Sequence, residues 1–310
     1  ASFPLFYSTS FSGAYFVWML ILITFVLQAV SYEFQNKAGN ILGKTTFRIF
    51  LTLNGCLGPL LIGTAVGTFF TGSSFIVNKD AAGSSLQPII SQWTGCCHGL
   101  EAVANPFNVE FGLMVMFLTM CLGALYLINN IDDEALSTSL RGRLGFVFVC
   151  FLVCLAFVLV HLLTMPGFAV GEDGYVFMEK SKYLHNFLQM PAVLALFLLG
   201  AVLLVAGVVL TLARKGFRRG IWFSAPGTVM VVMALFMIAG YNGTAFYPST
   251  ANLQSSLTLA NSCSSEFTLK AMSIVSLIIP FVLAYIVYAW RKMDLKSLTR
   301  KELAETDHKY

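Results

Sequence analysis

Charged residues are scarce in this sequence. Lys, Arg, Asp and Glu make up 11% of its 310 residues, and only 4 residues are His. Because soluble globular domains carry roughly 25% charged residues, this composition excludes a soluble globular protein. No basic stretch interleaved with aromatic residues is present, which excludes a nucleic-acid-binding module. The formal net charge of +4 is therefore better explained by membrane topology than by an acidic partner.

Hydrophobic residues dominate instead, at 57% of the chain. A helix needs about 20 apolar residues to cross about 30 Å of hydrocarbon, and runs of that length occur seven times. The predicted spans are residues 13–31, 46–70, 109–128, 145–163, 191–213, 223–241 and 267–290. We therefore predict an all-α fold, a polytopic transmembrane helix bundle over residues 1–290, followed by a cytoplasmic tail over residues 291–310.

Most of the 19 Lys and Arg residues lie in alternate connections, namely the first, third and fifth, and in the C-terminal tail. By the positive-inside rule these segments are cytoplasmic, which places Ala1 and the even-numbered connections on the outer side. The long connections 71–108 and 164–190 then face outward together with the Ser/Thr-rich stretch 244–269. Long loops often carry binding sites, so the outer surface is predicted to be the elaborated one.

The first span lacks the charged segment that begins a signal peptide, since no Lys or Arg precedes Lys37. We expect residues 1–12 to be a short extramembrane piece ahead of an internal span. The chain also begins at Ala1 without an initiator Met. We interpret this start as a truncation of a longer protein.

Ionisable residues are nearly absent from the middle of the predicted spans. Arg48, Glu110, His161 and Lys270 all lie within a turn or two of a span end, where side chains reach the membrane surface. Because ionisable groups deep in a membrane mark functional sites, no catalytic residue is predicted. A packing or interface role for His161 is favoured over haem ligation.

Small and neutral polar residues within the spans are interpreted as packing residues. Gly63 and Gly67 have the GxxxG spacing that lets two helices approach closely. A hinge or a gap for a ligand is the alternative for these glycines. Asn54 and Gln28 are expected to form hydrogen bonds between helices.

Three of the 7 cysteines fall in outer connections. A disulfide between Cys263 and either Cys96 or Cys97 is left open, because the outer side of a bacterial membrane is oxidising. Cys96, Cys97, His98 and Glu101 superficially resemble a metal site. Their spacing matches no common closed zinc pattern, and three adjacent residues are not expected to converge on one ion. No metal site is therefore predicted.

An acidic cluster follows the third predicted span. Asp132, Asp133 and Glu134 are expected to lie in a solvated cytoplasmic loop, where they balance the charges of Arg141 and Arg143. No function is assigned to this cluster.

Four motifs follow one another along the chain. They are SFSGAY at residues 10–15, a glycine-rich stretch at 58–67, NPFN at 105–108, and AFYPSTANLQSSLTLANSCSSEFTLKAMS at 245–273. In this order they resemble subunit II of cytochrome bd-type quinol oxidases, and the resemblance spans essentially the whole chain. Within the last motif the matching residues include Phe246, Pro248, Ser249, Ser256, Leu257, Thr258, Ser264, Ser265, Thr268 and Leu269. Ala260 and Asn261 depart from the family by replacing its Trp-Asp pair.

The resemblance implies a subunit with nine helices when complete, so that seven remain here and the first two are missing. It implies that haems b and d belong to subunit I, which oxidises quinol and reduces oxygen to water. This chain would carry no haem, scaffold subunit I and help to form a proton path. A small accessory subunit, and a structural quinone or lipid in a groove of this chain, are further implications. The complex would lie in a bacterial inner membrane.

The resemblance also suggests roles for a few residues. Glu33 is the best candidate for the cytoplasmic end of a proton entry, with solvation at the surface as the alternative. Pro248 is expected to set a turn. Ser264, Ser265 and Thr268 are expected to cap the last helix by accepting hydrogen bonds from its free N–H groups.

A secondary transporter or channel component is the alternative function. It would show an inverted repeat and polar or broken helices near the middle of the membrane, and neither feature is evident in the sequence. A purely structural membrane anchor is a third hypothesis.

Overall fold

Helices make up most of the structure. The computed structural model describes residues 2–37, 40–78, 90–214 and 216–293. In chain order the helices are α1 (Pro4–Gly13), α2 (Tyr15–Phe34), α3 (Gly43–Thr71), α4 (Glu101–Ala104), α5 (Pro106–Asn130), α6 (Glu134–Thr164), α7 (Lys182–Gln189), α8 (Pro191–Ala213), α9 (Ile221–Gly240), α10 (Leu259–Ser262), α11 (Glu266–Ser276) and α12 (Ile279–Met293).

Among the described residues, seven helical stretches are long and apolar enough to cross a membrane, namely α2, α3, α5, α6, α8, α9 and the α11–α12 pair. This number confirms the predicted polytopic helical class. The predicted bounds agree best at α8, Pro191–Ala213. Helix α12 ends at Met293, a few residues beyond the predicted end of the bundle. The rest of the predicted tail, residues 294–310, lies outside the described residues.

Helix α6 begins at Glu134, well before the predicted span start at residue 145. The side chain of Asp133 accepts hydrogen bonds from the backbone N–H groups of Ala135 and Leu136, which makes Asp133 the N-cap. Asp132 and Asp133 lie in the predicted loop, whereas Glu134 is already the first residue of the helix. Asp132 forms an ion pair with Arg218 at 2.7 Å and not with Arg141 or Arg143 as predicted. A hydropathy window detects the apolar part of a helix, whereas a cap decides where its backbone begins.

The N-terminal residues were predicted to be an extramembrane piece, and they contain the separate helix α1. Pro4 begins this helix, at a position where the missing N–H of proline costs nothing. The ring of Phe6 packs against the rings of Phe69 and Tyr247, with centroids 5.6 Å and 5.3 Å apart. Helix α1 is therefore held against the end of α3.

The last span is interrupted between α11 and α12. The backbone N–H groups of Leu277 and Ile278 bond three residues back, to Ile274 and Val275, and Pro280 follows with no N–H to continue the α-helical ladder. None of the most apolar window of this span is buried, whereas 22–33% of the corresponding windows is buried in the other six spans.

The remaining spans pack as neighbouring pairs, with α2 on α3, α3 on α5, α5 on α6 and α8 on α9. Glycines bring α3 and α5 together as predicted. A Cβ at Gly63 would lie 2.8 Å from the Cα of Gly112, and a Cβ at Gly67 would lie 2.7 Å from Oδ1 of Asn108. Gly200 of α8 and Gly227 of α9 are in similarly close backbone contact.

The two long connections each contain an antiparallel hairpin that the sequence did not predict. Strands β1 (Phe75–Val77) and β2 (Ser91–Trp93) form the first, and β3 (Gly167–Val170) and β4 (Val176–Glu179) form the second. Each strand has only three or four residues, too few to show a clear alternating pattern. We call the end of the bundle that carries these hairpins the loop end.

The opposite end carries the basic connections, and we call it the basic end. The guanidinium group of Arg141 donates hydrogen bonds to the carbonyl oxygens of Thr211, Arg214 (3.1 Å) and Phe217 (2.8 Å), where α8 ends. Cations favour the C-terminal ends of helices, where carbonyl groups lack partners. Arg141 thereby ties α6 to the connection between α8 and α9.

Candidate functional site

Residues 241–265, which we call the polar cap, run across the loop end in largely irregular backbone that includes the short helix α10. Thr244 pairs with Ala169 of β3 in an antiparallel bridge, and Ser249 pairs with Ser73 in a parallel bridge. Irregular backbone is tolerated near a membrane only where protein or water satisfies its polar groups. The polar cap meets this requirement by bonding to both long connections.

Two buried serines hold the turn of the polar cap. Ser249 and Ser256 both have 0% of their surface exposed. The hydroxyl of Ser249 donates to the carbonyl oxygen of Phe75 and accepts from the N–H of Asn252 at 3.2 Å. The hydroxyl of Ser256 accepts from the N–H of Ser249 at 3.0 Å. Both hydroxyls are therefore engaged by protein groups and act as scaffold.

Phe246 joins the polar cap to α1. Its ring meets those of Phe3 and Phe6 edge-on, with centroids 5.9 Å and 5.5 Å apart. Such edge-to-face pairs add about 0.5–1.5 kcal/mol beyond the area they bury. Phe246 is therefore a packing residue.

Pro248 lies in extended backbone between the bridging residues Tyr247 and Ser249, so the prediction that it sets a turn was wrong. Its carbonyl oxygen accepts the N–H of Ser73 at 3.0 Å. Proline has no N–H to leave unpaired, and it fits here because the pairing with Ser73 uses only its carbonyl group.

Only one of the three residues predicted to cap the last helix does so. Ser265 is the N-cap of α11 and accepts the N–H of Thr268 at 3.4 Å, while the two hydroxyls lie 3.0 Å apart. Ser264 acts through its backbone, donating its N–H to the carbonyl oxygen of Ser2 at 2.9 Å. The capping roles predicted for Ser264 and Thr268 were therefore wrong.

Asn261, which replaces a family residue, completes a capping box around α10. Its N–H bonds to Oγ1 of Thr258 at 3.1 Å, and its Oδ1 accepts the N–H of Thr258 at 2.9 Å. Its amide nitrogen also donates to the carbonyl oxygen of Ser256 at 2.9 Å. The residue that departs from the family pattern therefore forms side-chain hydrogen bonds with the backbone of Thr258 and Ser256.

Asn186 is a central residue that the sequence did not single out. It is fully buried, and its Nδ2 donates to the carbonyl oxygen of Ile238 at 2.7 Å and to Oγ1 of Thr244 at 2.8 Å. Its Oδ1 accepts from Nδ2 of Asn242 at 3.0 Å. These bonds join α7, the end of α9 and the polar cap. The chain between residues 164 and 190 contains no pattern that marks one amide as buried.

Two tyrosines at the loop end are also buried. The hydroxyl of Tyr183 donates to the carbonyl oxygen of Phe70 at 3.1 Å, and burial raises the pKa of Tyr183. Burial likewise raises the pKa of Tyr247, against the opposing effect of side-chain hydrogen bonds with Ser73 and Thr68. Both side chains are therefore neutral hydrogen-bonding groups.

Glu33, the proposed proton-path residue, lies at the end of α2. It forms an ion pair with Lys37 one turn further on, and 62% of its side chain is exposed. Nearby in the bundle, Nδ2 of Asn54 donates to Oε1 of Gln28 at 2.5 Å, which is the predicted bond between helices. Asn54 is buried, and its Oδ1 has no hydrogen-bond partner in the part of the chain that the structure describes.

The histidines of the second long connection and of α6 are engaged at the loop end. Nδ1 of His161 lies 3.7 Å from Oε2 of Glu110, and Nδ1 of His185 lies 2.7 Å from Oε1 of Glu179. Glu179 also holds Lys182, at 3.1 Å. His161 and His185 are each 47% exposed at the side chain.

Two of the outer cysteines lie together on the first long connection. The sulfur atoms of Cys96 and Cys97 lie 3.2 Å apart, and both lie within 4.8 Å of a carboxylate oxygen of Glu101. Cys96 and Cys97 therefore come together with Glu101, whereas His98, the third of the adjacent residues, is not part of this cluster. Cys263 is a free thiol that donates a hydrogen bond to the carbonyl oxygen of Ala260 at 3.5 Å.

Two of the cavities among the described residues lie between the spans. The first, of about 210 Å³, is enclosed by α3, α5, α6, α8 and α9 and is almost wholly apolar. The second, of about 300 Å³, lies nearer the loop end between α1, α2, α3 and the polar cap. Its wall includes Trp18, Thr68, Ser73 and Tyr247. The indole N–H of Trp18 is buried and has no acceptor among the described residues.

The helices, the charge-poor interior and the polar cap together define a polytopic helical membrane protein. The chain belongs to the family described as cytochrome bd terminal oxidase subunit II, which matches residues 1–293. This confirms the resemblance seen in the sequence, and nothing in the comparisons supports a transporter.

Curated relatives agree with this assignment. The chain is 24% identical over 321 residues to the "Cytochrome bd-I ubiquinol oxidase subunit 2" of Escherichia coli strain K12, covering 99% of this chain and 80% of that protein. It is 25% identical over 312 residues to the "Probable cytochrome oxidase subunit 2" of Haemophilus influenzae, covering 94% of this chain and 76% of that protein.

Proposed function

We propose that this chain is the haem-free scaffold of a quinol oxidase. In this proposal a subunit I holds haems b and d, oxidises quinol and reduces oxygen to water. The present chain supports that subunit, and a small accessory subunit completes the complex. Membership of this family indicates that the complex is a terminal oxidase. The names of the two relatives, each an oxidase subunit 2, agree with this class.

The placement of the histidines is the observation that carries this division of roles. His161 and His185 lie at the loop end beside carboxylates, and His98 lies against the ring of Phe16. A haem iron needs an axial side chain such as His, paired with a second ligand such as Met in some haem proteins, directed into a cavity. The apolar cavity between the spans is lined by Met114 but by no histidine to pair with it. The interior of the bundle, within the described residues, is therefore better suited to a scaffolding role than to haem binding.

The charge distribution supports one orientation. The basic end, with Arg141, Arg218 and the Glu33–Lys37 pair, would face the cytoplasm by the positive-inside rule. The polar cap, the hairpins and the N-terminus of this chain would then face outward from a bacterial inner membrane. In this orientation Glu33 would lie at the cytoplasmic surface, where an exposed carboxylate can take up protons for a path into subunit I.

The second cavity is the place we assign to a structural quinone or lipid. Aromatic rings line it, and the indole N–H of Trp18 lacks an acceptor among the described residues. A carbonyl oxygen of a quinone ring or of a lipid ester would satisfy this buried donor, whose isolation costs about 1–3 kcal/mol.

Haem content tests the division of roles. The complex and this chain alone would each be purified in detergent from cells that make haem, and their haem would be measured by absorption. We expect haem and quinol-dependent oxygen consumption in the complex, and no haem in the separate chain. A separate chain that retains haem in stoichiometric amount would contradict the proposal.

Assembly gives the second readout. Ser265→Ala removes the N-cap of α11, which costs about 1 kcal/mol, and should lower the yield of complex before it changes turnover per haem. Ser273→Ala, an exposed substitution within the same helix, is the control. Normal yield with reduced turnover per haem would contradict a scaffolding role for this segment.

A further inference from the structure

Cys96, Cys97 and Glu101 form a compact cluster of metal-ligating groups on the first long connection. One ligand atom from each lies within 4.8 Å of the others, and both thiols are exposed to solvent. His98 and Gly99 follow with φ angles of 44° and 95°. This left-handed turn folds the chain back, so that Glu101 faces the two sulfurs although it follows them by only four or five residues.

Glu101 is held in position by the backbone of the turn. Its Oε1 accepts the N–H of Cys97 and its Oε2 accepts the N–H of Gly99, both at 2.8 Å. Burial works to raise the pKa of Glu101, but these backbone hydrogen bonds outweigh it and the pKa is lowered. Each carboxylate oxygen has a further lone pair for a cation. The turn therefore presents a fixed negative ligand.

Gly95 leaves the space that this arrangement requires. A Cβ at Gly95 would collide with Oε1 of Glu101, so a side chain there would displace the carboxylate. The carboxylate, the turn and the glycine thus form one built unit beside the sulfurs.

The two sulfur atoms are close enough for one cation to contact both, since they lie 3.2 Å apart. Thiolate sulfur selects soft cations over Mg²⁺ or Ca²⁺.

We propose that Cys96, Cys97 and Glu101 bind a divalent d¹⁰ cation, Zn²⁺ or its analogue Cd²⁺. Two sulfurs and one carboxylate oxygen are the protein ligands, and water takes the fourth position. A d¹⁰ ion has no geometric preference of its own and is usually tetrahedral, so it tolerates ligands from adjacent residues. The three ligands lie in the first long connection, outside the seven candidate membrane spans, and both thiols are exposed.

Distances favour a cation over a bond between the sulfurs. With Zn–S bonds of about 2.3 Å in a tetrahedral site, the two sulfurs would lie roughly 3.8 Å apart, whereas a disulfide brings them to about 2.0 Å. The observed separation is 3.2 Å. Binding a cation therefore needs the smaller movement of two exposed side chains.

Cadmium titration tests the site. Detergent-purified protein, with the partner subunits that co-purify, would be reduced, freed of chelator and titrated with Cd²⁺, following the ultraviolet thiolate-to-cadmium absorption. We expect one tight equivalent per chain. Cys96→Ser and Cys97→Ser should each weaken binding by at least about 100-fold, and Glu101→Gln by about 10–100-fold.

Cys263→Ser is the matched control, since Cys263 is also an exposed free thiol, and it should leave the tight equivalent unchanged. The unfolding temperature of each metal-free variant would show that the fold is intact. The proposal would be overturned if the double variant Cys96→Ser/Cys97→Ser still bound Cd²⁺ tightly, or if Cys263→Ser lost as much Cd²⁺ affinity as the Cys96 and Cys97 variants. It would also be overturned if thiol counting, on protein that was never reduced, showed a disulfide between Cys96 and Cys97.

Discussion

The side-chain amide of Gln254 forms hydrogen bonds with both backbone polar groups of Val176. Its Nε2 donates to the carbonyl oxygen of Val176 at 2.8 Å, and its Oε1 accepts the N–H of Val176 at 3.1 Å. Val176 begins β4, which has no strand on its other side within the described sheets. Gln254 thus takes the place of a third strand at this point and fastens the polar cap to the second hairpin.

Gln254→Glu should weaken this connection. A carboxylate cannot donate a hydrogen bond to the carbonyl oxygen of Val176, and its negative charge would repel that oxygen. Together these effects should lower the free energy of unfolding by about 1–3 kcal/mol. Thermal unfolding of the detergent-purified protein measures the change. Gln92→Glu, at an exposed position of β2, is the control, and an equal shift in both variants would refute the role of Gln254.

Gly63→Ala should destabilise the contact between α3 and α5. The added Cβ would meet Cα of Gly112 and the side chain of Val115 within 3.0 Å, and overpacking of this kind costs about 1–3 kcal/mol. Gly55→Ala in the same helix meets nothing within 4 Å and should be neutral or slightly stabilising. Unfolding temperatures of the two variants give the comparison, and equal values would show that close helix approach is unimportant here.

Arg141→Lys should loosen the basic end although the charge is kept. One ammonium group cannot reproduce the fork that reaches the carbonyl oxygens of Thr211, Arg214 and Phe217. Hydrogen bonds to charged groups are worth about 1.5–3 kcal/mol, and a loss of this order should appear in thermal unfolding. Arg143→Lys, at an exposed neighbouring position, should change little. A larger effect at position 143 would contradict this assignment.

Glu179 should make stability depend on pH. The hydrogen bond from His185 lowers its pKa below the usual value of 4.5, burial opposes this shift, and Lys182 adds to the lowering. A carboxylate whose pKa is lowered by folding stabilises the protein above its unfolded pKa, and the contribution disappears as the pH falls through the folded pKa.

Glu179→Gln should therefore unfold at a lower temperature than the unmodified protein at neutral pH, and the difference should close as the pH is taken below about 4.5. Unfolding temperatures across this range are the measurement. Glu172→Gln, in the exposed turn of the same hairpin, should show no such trend. A difference that stays constant in acid would mean that the charge of Glu179 is not responsible.

Much of the fold was readable from the sequence because crossing a membrane is a local requirement. An uninterrupted apolar run is needed whatever lies around it, and Pro191 and Arg214 mark the ends of the run that became α8. The GxxxG spacing of Gly63 and Gly67 also predicted close helix packing, because small residues on one face of a helix let any neighbouring helix approach closely.

The candidate site was less predictable, because its contacts join distant parts of the chain. Asn186 bonds to Ile238 and Thr244, and no local pattern distinguishes it from an exposed asparagine. The roles of Pro248 and Ser264 were predicted from turn and cap preferences, but pairing with Ser73 and Ser2 decided them.

The sequence by itself determined that this chain is a seven-span helical membrane protein of the oxidase subunit II family, because hydropathy and motif order are properties of neighbouring residues. Only the tertiary structure decided which polar groups meet at the loop end. The cluster of Cys96, Cys97 and Glu101 depends on a left-handed turn, and the bond between Gln254 and Val176 spans 78 positions. Such contacts form only when packing has brought the segments together. Only in that arrangement does the hydrogen bond offset the conformational entropy lost when its two groups are ordered.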